Sequence, residues 1–548
     1  MTLRIVPLGG LGEFGLNTMV LETERSAIVV DCGMSFPEPS TLGVDIVLPD
    51  LSYIESIREK IAGIFLTHGH EDHIGAVPYL VNIAGAPVFG RPLTLAFVRE
   101  KFIEMPPINE VELRVLRPRQ VVEAGDFRVE AIHVTHSIVD AAAFAIRTPE
   151  GIVIHTGDYK LDPTPVDGPP TDLARLAQLG DEGVTLLIGD STNSMSPGVC
   201  RSESSVGRSL EPYFESSEGR IFFTTFASHI HRLRQVIELA DEFDRRIWLV
   251  GRSLIQNVAQ AERLGYLSIP RHVRGDGKTV DDDDRDAVVI CSGSQGEPNS
   301  SLARIARGEH KTATIVPGDT VIFSSRTIPG NERSVMHVID HLLDAGARVI
   351  YEQEGIHASG HAHREEMKTM LALTKPKFLV PAHGSRLNLA RHAELAERMG
   401  MDSRSVLRMV NGDVAVIDGD QARVDEERVQ TGRVFVDREQ EEVPTLVVRD
   451  RRHLGEDGFV IVVAAIDQRA GEFAREPEII TRGVIHVDAN QDLLDEVRKL
   501  LRDALDAASL DEVRDVENVQ EMMRRELKRF FRKRLGRRPM ILPVVWEM

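Results

Sequence analysis

The chain has 548 residues, 42% of them hydrophobic and 27% charged, with a formal net charge of −20 at neutral pH. That length implies roughly three or four domains with ample core, and the composition is that of an ordinary globular chain rather than a disordered or fibrous one. No apolar run approaches the ~20 residues needed to span a bilayer, and the N-terminus lacks the basic flank and apolar stretch of a signal peptide. The expectation is a cytoplasmic protein without a membrane partner. Three scattered cysteines, Cys32, Cys200 and Cys291, give neither a disulfide framework nor a cysteine-rich metal site. Taken naively, the negative charge argues against a nucleic-acid partner, but net charge is a weak test, because local positive groups in a cleft can hold a phosphate backbone on an acidic molecule.

The chain opens on an apolar strand, and Gly10, Gly12 and Gly15 then match the formal dinucleotide fingerprint, with Asp31 about 20 residues on. The match fails on context. The third glycine should open a helix, whereas residues 17–33 read as two β-branched runs around the turn at residues 22–26, a hairpin.

The strand-like run 63–67 leads directly into His68-Gly-His70-Glu-Asp72-His73 and then into a helix start. Residues two apart at a strand end face one side, so His68 and His70 can share a metal ion. Asp72 and His73 fall at the turn into the helix and can address a second ion. Neutral imidazoles with carboxylates suit Zn²⁺ or Mn²⁺, whereas Mg²⁺ prefers oxygen ligands. Further ligand types stand where other apolar runs stop: His136, Asp158 and His383. Asp31 closes a strand too and reads as a carboxylate that orients a ligand histidine or the Asp72 loop. The acidic run 281–286 reads as a solvated loop.

This pattern resembles the metallo-β-lactamase fold. GDSTNS (189–194), HASGHAHREE (357–366) and KPKFLVPAHG (375–384) are similar to the extra motifs of the β-CASP nucleases, and the opening PLGGLGEFGLN, with TLGVDIVLPD and TFASHIHR, to bacterial ribonucleases of the J family. Ser385 departs from the acidic residue many relatives carry after PxHG. The resemblance covers essentially the whole chain. It implies an α/β protein: a metallo-β-lactamase αββα sandwich with an inserted β-CASP α/β domain and a small C-terminal α/β domain. The corresponding boundaries are 1–204 and 353–435 for the split hydrolase domain, 205–352 for the insert, 436–455 for a linker and 456–548 for the last domain. An interruption of the ligand series between Asp158 and His383 agrees with an insert there.

Carried over by position, His68, His70 and His136 bind one divalent ion; Asp72, His73 and His383 bind the other; and Asp158 bridges them and can take the proton of the attacking water. His361 becomes the acid for the leaving 3′-oxygen, polarised by Asp190, which otherwise reads as a cap on the turn after its strand. His357, Ala358, Ser359, Gly360 and His361 correspond to a pocket for a 5′-monophosphate. Ser228 and His229 correspond to RNA contacts, or else to a polar cap on the helix that follows. Gly43, Asp45 and Asp437 correspond to a structural Ca²⁺ site, or else to an ordinary loop.

The implied activity is a metal-dependent ribonuclease acting 5′→3′ on single-stranded RNA in RNA decay and rRNA or mRNA maturation, with endonuclease activity and Mg²⁺ as the working ion left open. A DNA-directed β-CASP repair nuclease and a non-catalytic scaffold of an RNA-decay assembly are the alternatives. In the last domain, Leu527, Phe530, Phe531 and Leu535 form one apolar face of a helix whose other face is basic. By resemblance this domain supports a homodimer or a tetramer.

Overall fold

The computed structural model describes residues 2–38, 40–277, 279–328, 330–467, 469–487 and 490–547. By density of contacts the chain divides into one unit of residues 1–35 and 47–433 and another of residues 36–46 and 434–548.

The first unit is built on two facing sheets. Among the described residues one has eight strands, in the order Gln421–Arg428, Asp413–Asp418, Leu3–Gly9, Thr18–Glu22, Ala27–Val30, Ile61–Phe65, Val88–Gly90 and Leu113–Val115. The other has six, ordered Phe378–Ala382, Val184–Asp190, Gly151–His155, Ala142–Thr148, Phe127–His133 and Val121–Ala124. Leu21, Val30, Phe65 and Phe89 of the first sheet share a buried core with Phe127, Phe144, Ile188 and Val380 of the second. The opposite face of the six-stranded sheet buries Ile132, Ile154 and Leu187 with Leu176, Met367 and Ala393 from three helices. Two sheets with helices outside are the layered solution for strands that are apolar on both faces.

The rejected fingerprint has the predicted form. After Gly15 the chain enters the antiparallel pair Thr18–Glu22 and Ala27–Val30, with no helix at that point. The glycine at position 10 has φ +86°, and a Cβ there would lie 2.2 Å from Asn17 Oδ1. The loop therefore supports Asn17 rather than a pyrophosphate.

Between the strand ending at Asp190 and that starting at Phe378 lies a second α/β layer. Five parallel strands run in the order Arg246–Val250, Ala287–Cys291, Ile221–Thr224, Thr320–Phe323 and Arg348–Ile350, around a core that includes Phe222, Val289, Phe323 and Leu342. The acidic run is more than a solvated loop. Asp282 accepts from Nη1 of Arg220 at 2.8 Å and Asp284 from Arg246 at 2.8 Å. The Arg220 guanidinium is itself buried and grips Asp319 with two bonds.

In the second unit the strands Phe459–Asp467, Glu478–Arg482 and Met540–Glu547 form a sheet covered by the helices Gln491–Asp506 and Val516–Leu535. Val519, Met523, Leu527 and Phe531 recur every fourth residue on the long helix and are buried, with Phe530 and Leu535 at the edge, so the apolar stripe is packing. Asp515 caps its start through Glu517 N–H and Asn518 N–H, and Gly536 ends it in the left-handed conformation. The last strand, parallel to Phe459–Asp467, was not anticipated. Segment 436–455, expected as a linker, carries the strand Glu442–Val443 and most of the helix Thr445–Asp457. Val443 and Val448 are buried, which a free linker would not bury.

Candidate metal centre

The residues read as ligands leave the sheets at one end. Val184–Asp190 lies between, and parallel to, Gly151–His155 and Phe378–Ala382, with Asp190 opposite Ala382 and Ile188 opposite His155. Asp158, Asp190 and His383 therefore emerge from the C-terminal ends of three adjacent parallel strands. In the facing sheet Val30 pairs with Phe65, which places Asp31 beside the turn carrying His68. The metal-capable side chains gather where the two sets of strand ends meet.

Within this space His68, His70, His136 and Asp158 present ligand atoms all within 4.8 Å of one another, and so do Asp72, His73, Asp158 and His383. His70 Nδ1 is 3.0 Å from His68 Nε2 and 3.2 Å from His136 Nε2. Asp158 Oδ2 is the shared centre: it lies 3.7 Å from His68 Nε2, 3.7 Å from His136 Nε2 and 3.3 Å from His73 Nε2. The other oxygen, Oδ1, faces His383 Nδ1 at 2.7 Å, while His383 Nε2 faces Asp72 Oδ2 at 3.5 Å. Nitrogen and carboxylate donors converging at these separations fit a pair of divalent ions that share one carboxylate.

Each ring is aimed by a partner behind it. Asp31 Oδ2 accepts from His73 Nδ1 at 2.8 Å, which leaves Nε2 facing inward. The hydroxyl of Thr67 donates to the same Asp31 oxygen at 2.7 Å and faces His68 Nδ1 at 3.0 Å. The Gly360 carbonyl accepts from His136 Nδ1 at 2.7 Å. Such outer contacts fix tautomer and orientation. Asn17 was not singled out in the sequence, yet its Nδ2 donates to the Asp72 carbonyl at 3.1 Å and lies 3.1 Å from His73 Nε2. Gly33 abuts the same carbonyl so closely that a Cβ would sit 1.7 Å away. Thr67 was not singled out either, although its place directly before a ligand histidine was a signal that could have found it; Asn17 had no such signal.

Burial, the largest influence, holds His68 and His136 far below the usual imidazole range and His70 down at about 4, which suits neutral ligands. Burial opposes the charge on His383 as well, but Asp158, Asp72 and Asp190 together outweigh it and lift that ring to about 10. His73 is raised in the same sense, again with Asp158 foremost against burial.

His361 Nδ1 is 2.9 Å from Asp190 Oδ2 and 3.9 Å from Asp158 Oδ2. Asp190 also caps its turn, with Oδ1 accepting from Thr192 N–H at 2.9 Å, so one carboxylate both caps the turn and meets the His361 ring. Asn193, unremarked in the sequence, donates to Ser359 Oγ at 2.8 Å and to the His361 carbonyl at 3.1 Å. The turn 357–361 thus forms one wall of the centre, with Ala358 and Gly360 buried. Ser228 is half-buried and His229 is buried. His229 is the first residue of its helix's cap but makes no side-chain capping bond; it faces Glu203 and Arg232 instead, at 3.6 and 3.4 Å. The Nδ1 atoms of His229 and His357 lack a hydrogen-bond partner among the described residues. Ser385 caps the helix Arg386–Arg398 by accepting from Asn388 N–H.

The residues expected for calcium do not offer a free oxygen shell. The Gly43 carbonyl accepts from the Arg451 guanidinium at 3.0 Å, a contact that accords with the ordinary-loop alternative. Asp437 Oδ1 accepts from the backbone N–H groups of Glu439 and Glu441, and Asp45 donates its N–H to the Val436 carbonyl.

Comparison with known proteins agrees with this geometry. Family models match in chain order: the metallo-beta-lactamase superfamily (11–202), the ribonuclease J beta-CASP domain (218–342), the Zn-dependent metallo-hydrolase RNA specificity domain (346–406) and the ribonuclease J C-terminal domain (446–548). The chain is 42% identical to a ribonuclease J from Synechocystis over 88% of this chain and 76% of that one. It is 39% identical to one from Thermus thermophilus over 99% and 95%, and 37% identical to one from Helicobacter pylori over 99% and 79%. A solved structure of a protein of unknown function from Enterococcus faecalis superposes with a TM-score of 0.54 at 15% identity, covering 78% of this chain and all of that one, a likeness of fold.

Proposed function

The chain belongs to the ribonuclease J family and is a metal-dependent ribonuclease, and from that premise we propose that it trims single-stranded RNA 5′→3′ from a 5′-monophosphate end. The observation that carries this reading is the double attachment of the turn 357–361, through Gly360 to His136 and through His361 to Asp190. A terminal phosphate held in that small-residue turn lies a fixed, short way from the ligand set. A fixed distance from chain end to scissile bond gives stepwise trimming.

His68, His70, His136 and Asp158 would hold one divalent ion, and Asp72, His73, His383 and Asp158 the other; imidazole-rich shells of this kind favour Zn²⁺ or Mn²⁺ over Mg²⁺. When bound, such ions activate water near neutral pH and neutralise charge on the phosphate. Asp158 sets the spacing of the two ligand sets. His361 delivers a proton from Nε2 to the leaving 3′-oxygen, while Asp190 holds the opposite nitrogen and stabilises the imidazolium. Ser228, His229 and His357 line the RNA side, and the unpartnered buried nitrogens of the two histidines are suited to a polar ligand. Homodimerisation through the C-terminal unit is supported by Leu542, Val544 and Trp546, exposed at alternate positions of its last strand.

The test uses RNA labelled at its 3′ end, carrying either a 5′-monophosphate or a 5′-hydroxyl, with Mn²⁺ and with His73→Ala as control. Progressive shortening of the monophosphorylated RNA by the wild type alone is expected. Equal cutting of both RNAs, or internal cutting of a circular RNA at the same rate, would remove the end-directed reading.

A further inference from the structure

The loop that follows His136 ends at a residue held by both halves of the first unit. Asp140 is 7% exposed and has φ +65°, a left-handed conformation unfavourable to a non-glycine residue unless its surroundings enforce it. Its carboxylate supplies that enforcement. Oδ2 accepts from Leu93 N–H at 3.0 Å and Oδ1 from Arg91 Nη2 at 3.0 Å. The helix Pro92–Glu104 has no capping bond from its own Arg91 side chain, so Asp140 caps it from outside. The third donor comes from the inserted layer: Tyr266, just beyond the helix Arg252–Arg263, donates its hydroxyl to Oδ2 at 2.6 Å.

Residues 136–140 are therefore held at both ends. At one end the ring of His136 is fixed by the Gly360 carbonyl, and at the other Asp140 binds the hydrolase helix and the inserted domain together. Between them, Ile138 and Phe97 of the Pro92–Glu104 helix close on Gly69, where a Cβ would lie 3.4 Å from Ile138 Cδ1 and 2.8 Å from Phe97 Cδ2. Gly69 separates His68 from His70. A shift of Asp140 is thus transmitted to three ligand-bearing positions through packed groups with little free space.

The geometry points to Tyr266 as a positioning residue: its hydroxyl ties the seating of the inserted domain to the loop that places His136, so that the metal set is fully formed only when that domain is docked. This rests on His136 being a metal ligand, the reading made above. The same two domains also meet where Gln260 donates to Glu100, a contact that does not touch Asp140.

The experiment measures Zn²⁺ or Mn²⁺ affinity by competition with a chromophoric chelator for the wild type, Tyr266→Phe and Gln260→Ala, together with RNA cleavage at limiting and saturating metal. Loss of the hydroxyl is expected to weaken one ion about threefold to tenfold, somewhat less than a group in direct contact with a ligand would. Cleavage by Tyr266→Phe should fall at limiting metal and recover at saturation, and Gln260→Ala should bind metal like the wild type. Unchanged affinity in Tyr266→Phe, or equal weakening in both variants, would overturn the inference, the latter because general loosening of the domains would explain it. A wild-type chain that bound neither ion would remove the ligand reading itself, and the inference with it.

Discussion

Asp190 and His361 stand 171 residues apart and meet at 2.9 Å, with Asp190 Oδ2 on His361 Nδ1 and Asp190 Oδ1 on the Thr192 backbone. The carboxylate is thus held before it meets the ring, and in the proposed reaction the ring's Nε2 is the proton donor. Asp190→Asn keeps the turn and removes the charge. It is expected to slow the chemical step by about 10²-fold, within the range for general acid–base groups, with little change in RNA binding. Single-turnover cleavage beside an RNA-binding isotherm checks this; equal losses in both would mean that Asp190 acts on binding.

Asp31 is buried behind the ligand set, where it orients His73 and, through Thr67, stands behind His68. Asp31→Asn should weaken metal binding by about 10- to 100-fold, and added Mn²⁺ should restore most of the cleavage. A variant with wild-type affinity and lost activity would contradict this role.

Removal of metal should cost stability as well as activity. The ion-free cluster crowds two carboxylates and several imidazoles, and ions that bind only the folded chain stabilise it by about 4 kcal/mol at a thousandfold excess over Kd. Chelation is therefore expected to lower the unfolding temperature of the hydrolase domain and to abolish cleavage, both reversed by Zn²⁺ or Mn²⁺. A melting temperature indifferent to chelator would argue against tight resident ions.

Arg220 offers a comparison of two partners of one guanidinium. Asp319 is 2% exposed, whereas the Asp282 side chain is 54% exposed. Asp319→Ala leaves a charge buried without its main partner and should destabilise the inserted domain by about 3–5 kcal/mol. Asp282→Ala removes a solvent-screened contact and should cost under about 1 kcal/mol. Urea unfolding of the two variants decides between these magnitudes.

Glu203 gives a pH dependence. Burial would raise its pKa, but Arg232, with bonds of 2.6 and 2.9 Å, and His229 outweigh burial and hold it below the ordinary range. The unfolded chain takes up a proton near ~4.3 where the folded one does not. The stabilisation is fully present above that pH and is lost as pH falls through it toward the lowered folded value. Thermal unfolding of the wild type should weaken from about pH 5 to about pH 3 more steeply than that of Glu203→Gln; parallel curves would assign the acid sensitivity elsewhere.

Much of the centre was legible because its signals are local. An apolar run that stops at His68, His136, Asp158 or His383 announces a strand end, and two histidines two residues apart announce a shared side. The rejection of the glycine fingerprint was legible for the same reason, since β-branched alternation after Gly15 is a local property. The acidic run was read incompletely because nothing near it reveals Arg220, which lies 62 residues before Asp282 and brings a buried charge to satisfy. The surroundings of Gly43 were hidden for a similar reason: Arg451, on a helix not foreseen, donates to the Gly43 carbonyl.

The sequence by itself determined the residue types and their places at strand ends, because periodicity and turn chemistry act over a few residues. Only the tertiary structure decided which nitrogen faces inward, that one oxygen of Asp158 is shared while the other meets His383, and that Asp140 answers to Tyr266. Those relations depend on the order of strands in a sheet and on buried polar groups finding partners wherever the chain happens to return, and no local pattern records either.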